Sequence, residues 1–134
     1  MAVQFGIYEI PAEEVFWRGQ HTFGMVNIRP FLPYHLLLSP YRQVRYFAEL
    51  DESELAELMQ MSARISQTLN SGRSRIAIQD GPDAGQSVFH THVHIIPWTE
   101  DTQQVHIDAP VADRAKEDMA KEADYLRTLF SESP

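Results

Sequence analysis

The stretch that most constrains the fold is residues 89–97, FHTHVHIIP, in which three histidines occupy alternate positions. The histidines are His90, His92 and His94, and the positions between and after them hold Thr91, Val93 and Ile95. Because side chains in a β-strand point alternately to its two faces, this order predicts a strand with imidazoles on one face and packing residues on the other. At about 3.3 Å per residue, neighbouring imidazoles would lie roughly 6.6 Å apart at the backbone.

The rest of the chain predicts an α+β domain. Its 134 residues fall within the range of about 100 to 150 that is common for one domain. Turn residues separate β-prone runs at 15–18, 22–28, 35–39 and 75–79, and the histidine run ends at Pro97. Helical patterns cover 51–70 and 111–130. Since strands and helices do not alternate regularly, a mostly antiparallel sheet is favoured.

Both helices have an apolar stripe. Asp51 or Ser53 can cap the first helix, and acidic residues crowd its first turn, where the helix dipole favours them. The expected buried residues are Leu55, Leu58, Met59, Met61, Ile65 and Leu69 in the first helix, and Met119, Ala123, Leu126 and Phe130 in the second.

Composition excludes several classes of function. With 11 basic against 19 acidic residues, the formal charge is −8, which disfavours binding to nucleic acid. The chain has no cysteine, so disulfides, thiolate catalysis and cysteine-rich zinc sites are excluded. No run reaches the roughly 18 to 20 apolar residues of a membrane span. The N-terminus does not resemble a secretory signal, and we expect a cytoplasmic protein.

Three aligned imidazoles are compatible with a metal site, with histidines exposed on a strand, or with a catalytic site. A metal site is weakened because no carboxylate stands at ligand spacing near the histidines, and a serine hydrolase because no G-x-S-x-G is present. A neutral imidazole can instead attack phosphorus if an acceptor holds its other nitrogen. No Lys or Arg occurs between Ile76 and Arg114. Phosphate charge would therefore meet imidazolium, amide and backbone N–H groups, with Gln79, Gln86 and Ser87 as candidates.

These residues match a known family. Residues 90–96 fit the His-φ-His-φ-His-φ-φ signature, where φ is apolar, of the histidine triad (HIT) superfamily of nucleotide hydrolases and transferases. The longer stretch 79–97, QDGPDAGQSVFHTHVHIIP, resembles its fragile histidine triad branch, the dinucleoside polyphosphate hydrolases. Further matches are FG at 5–6, FGMVN at 23–27, PYHLLLSP at 33–40 and MAKEADYLRTLF at 119–130. The resemblance implies a single HIT domain over 1–134, with a five-stranded antiparallel sheet and two main helices, paired as a homodimer.

The resemblance also implies a two-step reaction. His92 would attack the α-phosphorus of a substrate such as diadenosine triphosphate and release ADP, and water would then hydrolyse the nucleotidyl-histidine to AMP. The backbone carbonyl of His94 would orient His92, and the His94 side chain would serve the phosphate or leaving group. His90 and His35 would support them. Gln86, Gln79 and Ser87 would lie along the phosphates, Asn27 at the ribose, and Phe5, Ile10, Met25 and Leu37 around the adenine.

No metal ligand set and no obligatory cofactor is predicted, although a divalent cation such as Mg²⁺ or Mn²⁺ can accompany the substrate. The alternative activities are nucleoside phosphoramidase, another HIT nucleotidyl hydrolase or transferase, and nucleotide binding without turnover. Three departures from the branch bear on specificity. Tyr34 replaces a glycine, Trp98 replaces an arginine, and the segment 98–110 is short.

Overall fold

The computed structural model describes residues 1–30, 33–70, 72–98 and 112–130. The strands are β1 (Val3–Phe5), β2 (Tyr8–Ile10), β3 (Val15–Arg18), β4 (Thr22–Val26), β5 (Leu36–Pro40), β6 (Ser74–Ala77) and β7 (Val93–Pro97), and the helices are α1 (Glu52–Asn70) and α2 (Lys116–Leu129). Strands β3 to β7 form an antiparallel sheet in the order β3-β4-β5-β7-β6, and β1 and β2 form a separate hairpin. The predicted α+β class and five-stranded antiparallel sheet are confirmed.

One face of the sheet carries both helices. Leu38 pairs with Val93 across β5 and β7, and both belong to the larger apolar core. Helix α1 contributes Leu58, Met61 and Ile65, each 1 % exposed or less. Burial of one such side chain stabilises the fold by about 1.5 to 3 kcal/mol. Met59 was placed on this stripe by the sequence, but it is 42 % exposed.

The opposite face carries the histidines. Strand register places one residue from each strand in a row across the sheet: Val15, Met25, Leu37, His94 and Ala77, in strand order. Phe5 and Val3 from the hairpin pack with the apolar members of this row in a second, smaller cluster. An imidazole therefore continues a row of apolar side chains.

The predicted row of three imidazoles on one strand is wrong, because β7 begins only at Val93. Before it, the Thr91 N–H donates to the carbonyl of Val44, and the Ser39 hydroxyl donates to the carbonyl of Thr91. These contacts with β5 and the loop after it hold the backbone outside the ladder. Only His94 projects from the strand.

Two other boundaries differ from the sequence prediction. Helix α2 begins at Lys116 rather than at 111, because the Arg114 N–H donates to the carbonyl of Ile28 and Asp113 pairs with Arg29. These contacts hold residues 113–114 beside residues 28–29, and Ala115, just before the helix, has an extended backbone. The β1–β2 hairpin was not predicted, and it turns at Gly6, whose φ of +59° suits glycine. Among the described residues, no helix has the length and apolar character needed to cross a membrane.

Candidate active site

His90 is fixed by two backbone groups. Its Nε2 lies 2.8 Å from the carbonyl of Pro40, and its Nδ1 lies 2.9 Å from the N–H of Gly6. A carbonyl only accepts and an N–H only donates, so the proton of a neutral His90 lies on Nε2. Its ring is fully buried. The residue ties the triad to the hairpin and to the end of β5.

His92 is held in the opposite tautomer. Its Nδ1 lies 2.8 Å from the carbonyl of His90, to which it donates. The proton is therefore on Nδ1, and Nε2 keeps its lone pair. The sequence assigned this orienting role to the carbonyl of His94. That assignment is wrong, because the irregular backbone before β7 directs the carbonyl of His90 toward the ring.

His94 and His35 complete the cluster. The His94 ring centroid lies 4.9 Å from that of His92, and its Nδ1 lies 3.0 Å from Nε2 of His35. Asn27 Nδ2 lies 3.3 Å from the same His35 nitrogen. Among the described residues, His94 Nε2 has no hydrogen-bond partner although it is buried. The structure thus brings together His35 and His94, 59 positions apart in the sequence.

Burial keeps these imidazoles neutral. Burial, followed by the neighbouring His92, lowers the pKa of His35 to about 4. Burial, with the charges of His92 and His35, lowers the pKa of His94 to about 3. Burial also lowers the pKa values of His90 and His92. Each ring nitrogen without a proton is therefore a competent lone-pair donor at neutral pH.

The apolar residues predicted near adenine lie together beside the imidazoles. Phe5, Met25 and Leu37 are buried in one cluster, and Ile10 packs against it partly exposed. The Phe5 ring centroid lies 5.0 Å from that of His92, edge to face, and 5.3 Å from that of His90. Leu37 stands opposite His94 in the strand register. This placement supports an apolar wall beside the nucleophile candidate.

Gln86 braces the loop before the triad. Its Oε1 accepts from the N–H of Gly81 at 2.8 Å, and its Nε2 donates to the carbonyls of Arg45 and Val88. Contact with phosphate, as predicted, requires it to exchange one of these bonds. Ser87 is exposed and Gln79 half-buried on either side of this loop, so their phosphate roles stay predictions.

Two of the departures from the branch can be located. Tyr34 has φ +62°, a conformation that costs a non-glycine residue about 1 to 2 kcal/mol. Its ring lies 6.0 Å from that of Tyr125 in α2. Trp98 is 39 % exposed and lies 5.8 Å from the guanidinium of Arg75. The segment 98–110 falls, after Trp98, outside the described residues.

Sequence reasoning missed three contributors. The Gly6 N–H and the Pro40 carbonyl bind His90 from distant segments, and only the glycine in the FG pair gave a local signal. Arg45 lies with its guanidinium carbon 4.2 Å from the Phe89 ring centroid. Arg45 therefore places a positive charge beside Phe89, in the segment between Ile76 and Arg114 that contains no Lys or Arg.

Among the described residues, no group of three or more histidine, aspartate or glutamate side chains is placed to hold a metal ion.

Comparison with known proteins identifies the family of this chain. The family model for the HIT domain matches residues 9–101. The bifunctional bis(5'-adenosyl)-triphosphatase/adenylylsulfatase FHIT of Arabidopsis thaliana is 35 % identical, and the match covers 94 % of this chain and 83 % of that protein. The bis(5'-adenosyl)-triphosphatase of Dictyostelium discoideum is 37 % identical, with 96 % and 93 % covered.

A solved structure has a similar fold. The diadenosine triphosphate hydrolase of Plasmodium falciparum, in complex with Cyclomarin A, superposes with a TM-score of 0.81 at 33 % identity, over 96 % of this chain and 83 % of that one. The region that the HIT family model matches, residues 9–101, includes the four clustered histidines and the strands β5 and β7. The chain belongs to the histidine triad (HIT) family and to its fragile histidine triad branch.

Proposed function

We propose that this chain is a hydrolase that cleaves dinucleoside polyphosphates such as diadenosine triphosphate to AMP and a second nucleotide. The observation that carries the proposal is the state of His92, a buried neutral imidazole with Nδ1 bonded to a carbonyl and Nε2 bearing a lone pair. The relatives named bis(5'-adenosyl)-triphosphatase support the substrate class.

In the first step, the Nε2 lone pair of His92 forms a bond to the α-phosphorus. The bond from that phosphorus to the bridging oxygen breaks, and its electron pair leaves with the nucleoside diphosphate. The Nδ1–H bond to the His90 carbonyl strengthens as the imidazole gains positive charge. The product on the protein is a nucleotidyl-histidine.

In the second step, water attacks the same phosphorus and the P–N bond breaks. Its electron pair returns to Nε2 of His92, AMP departs, and the proton of the water must go to a base. His94, whose ring lies 4.9 Å from that of His92 between centroids, is the base we assign. The chemistry balances without an added oxidant or reductant.

The surrounding residues give the substrate its place. The adenine ring would lie beside His92 and contact the apolar surface of Phe5, Ile10, Met25 and Leu37. Gln79, Gln86 and Ser87 would donate to the phosphates, and Asn27 lies at the ribose side of the same cluster by resemblance. His90 and His35 hold the two reacting imidazoles.

The remaining parts of the proposal concern partners. The chain needs no obligatory metal, because imidazole supplies the nucleophile, and a divalent cation such as Mg²⁺ or Mn²⁺ accompanies the substrate phosphates. It acts in the cytoplasm as a homodimer, as the resemblance implies. Its charge of −8 opposes binding to nucleic acid, and its ligand is a small nucleotide.

The test is to trap the intermediate. The protein is exposed briefly to diadenosine triphosphate, quenched, digested and analysed by mass spectrometry, with diadenosine tetraphosphate and adenosine phosphoramidate in parallel. We expect AMP on His92 and release of ADP. The His21→Gln variant, altered outside the cluster, serves as the control and should behave like the wild type. Cleavage of phosphoramidate alone would identify a phosphoramidase, and binding without cleavage would identify a nucleotide-binding protein; either result contradicts the proposal.

A further inference from the structure

Asn27, His35 and His94 form a buried chain of side chains that joins the end of β4 to β7. Asn27 Nδ2 lies 3.3 Å from His35 Nε2, and that nitrogen lies 3.0 Å from His94 Nδ1. All three residues are 8 % exposed or less. The donors and acceptors along such a dry chain determine where its protons lie.

The orientation of the Asn27 amide is fixed at one end of the chain. Its Oδ1 accepts from the backbone N–H of Arg29 at 2.9 Å. A reversed amide would place NH₂ against that N–H, with two donors facing each other. The NH₂ group therefore faces His35, and it can only donate.

The remaining protons follow from this orientation. Because Asn27 donates, His35 Nε2 must keep its lone pair, and the proton of neutral His35 lies on Nδ1. His94 Nδ1 faces the same lone pair, so it carries a hydrogen and donates to it. The proton of neutral His94 is then used, and its Nε2 is left with a lone pair. This is the buried nitrogen without a partner among the described residues.

We propose that Asn27 is a positioning residue that, through His35, holds the proton of His94 on Nδ1 and leaves His94 Nε2 as a proton acceptor. The resemblance gave Asn27 a contact with ribose, which is a different role. The catalytic meaning rests on the proposed function: His94 Nε2 takes the proton of the water that attacks the nucleotidyl-histidine. The placement of the proton itself is a property of the free protein.

The substitution Asn27→Asp replaces the hydrogen-bond donor that faces His35 by an acceptor, with almost no change in the size and shape of the side chain. A carboxylate only accepts, so His35 Nε2 gains a hydrogen and donates to it. His94 Nδ1 then faces a donor, and its proton moves to Nε2. The matched control is Asn70→Asp, which adds the same charge at the end of α1, where Asn70 Nδ2 donates to the Ser74 hydroxyl.

The first experiment is ¹⁵N NMR of the histidine rings in the free protein at neutral pH. We expect His94 to show a protonated Nδ1 and an unprotonated Nε2 in the wild type and in Asn70→Asp, and the reverse in Asn27→Asp. A wild-type His94 protonated on Nε2 overturns the proposal even if no variant folds. An Asn27→Asp spectrum identical to that of the wild type also overturns it.

The second experiment separates positioning from ribose binding. If Asn27 positions His94, Asn27→Asp lowers kcat by about 100-fold and lowers KM with it, so that kcat/KM changes little. Nucleotidyl-His92 then accumulates because the second step is slowed. If KM alone rises, Asn27 acts on the ribose and the positioning role is wrong. A protein that hydrolyses no dinucleotide contradicts the proposed function, while the NMR result in the free protein still decides the proton placement.

Discussion

The two faces of the five-stranded sheet are built from different interactions. The helix-covered face packs Leu36, Leu38, Val93 and Ile95 into the larger core, where contacts are apolar and non-directional. The histidine-bearing face has a smaller apolar cluster, beside which buried imidazoles bond to backbone groups and to one another. Neighbouring residues of one strand, such as Leu37 and Leu38, belong to different faces.

The difference separates stability from chemistry. Apolar burial on the helix-covered face contributes most of the favourable free energy. On the histidine-bearing face, each imidazole loses hydration and regains only one or two directed bonds, so its net contribution to stability is small. Directed bonds define proton positions, which the proposed reaction requires. Substitutions on the helix-covered face should therefore mainly lower the stability of the fold. Substitutions on the histidine-bearing face should mainly lower the enzymatic activity.

The largest effect is expected at the nucleophile. His92→Ala should lower turnover of diadenosine triphosphate by about 10⁴-fold or more, because the lone pair that attacks the phosphorus is removed. Its unfolding free energy should change by only about 1 to 2 kcal/mol, since the ring makes one bond to backbone. Steady-state kinetics and urea denaturation measure the two quantities. Retention of one tenth of the activity would contradict catalysis by His92.

The pair Leu37 and Leu38 tests the contrast within one strand. Leu38→Ala, in the larger core, should lower the unfolding free energy by about 2 to 5 kcal/mol and leave KM unchanged at temperatures where the variant is folded. Leu37→Ala should cost less stability and raise KM, because Leu37 stands opposite His94. Equal KM values for the two variants would remove Leu37 from the nucleotide pocket.

Acid should weaken the histidine-bearing face first. His35 and His94 have folded pKa values of about 4 and about 3, below the value of about 6.5 for an unfolded histidine. Below pH 6.5 the unfolded chain therefore binds more protons than the native one, and stability falls as pH falls toward the folded pKa values.

Each of these two residues should contribute a loss of about 1.4 kcal/mol per pH unit in that window. Urea denaturation between pH 7 and 5 measures the slope, and His35→Gln should reduce it by one residue's share. His21→Gln, outside the cluster, is the control. If His35→Gln shows the same slope as the wild type, the pKa of His35 is not lowered by folding, and this prediction is wrong.

The smallest effect concerns Tyr34. Relief of its positive φ by Tyr34→Gly should offset the loss of the contact with Tyr125, so stability changes by less than about 1 kcal/mol. In a Tyr125→Ala background that contact is already lost, and the same substitution should stabilise by about 1 kcal/mol. A double-mutant cycle measured in urea separates the two terms. Destabilisation in both backgrounds would mean that backbone strain is not the main term at Tyr34.

Local patterns predicted what local interactions determine. Helix α1 and the buried side of α2 follow from periodicity, and strand β3 follows from a β-prone run that ends at Gly19. Both signals depend on residues a few positions apart. The hairpin and the late start of β7 depend on Gly6 and on the carbonyl of Val44, which no local pattern connects to the histidines. The alternate spacing in the sequence correctly predicted that the side chains of His92 and His94 lie close together. It could not identify which carbonyl orients His92, because the backbone before Val93 is not in strand geometry.

The bond between the Gly6 N–H and His90 also bears on how the molecule folds. It joins residues 84 positions apart, and the bond from His90 to Pro40 spans 50. Closing such long loops is entropically costly and is repaid only once both segments are in place. During synthesis, His90 cannot be fixed before the first 90 of the 134 residues have been made. Enzymatic competence is therefore a late event, acquired after α1 can already have formed.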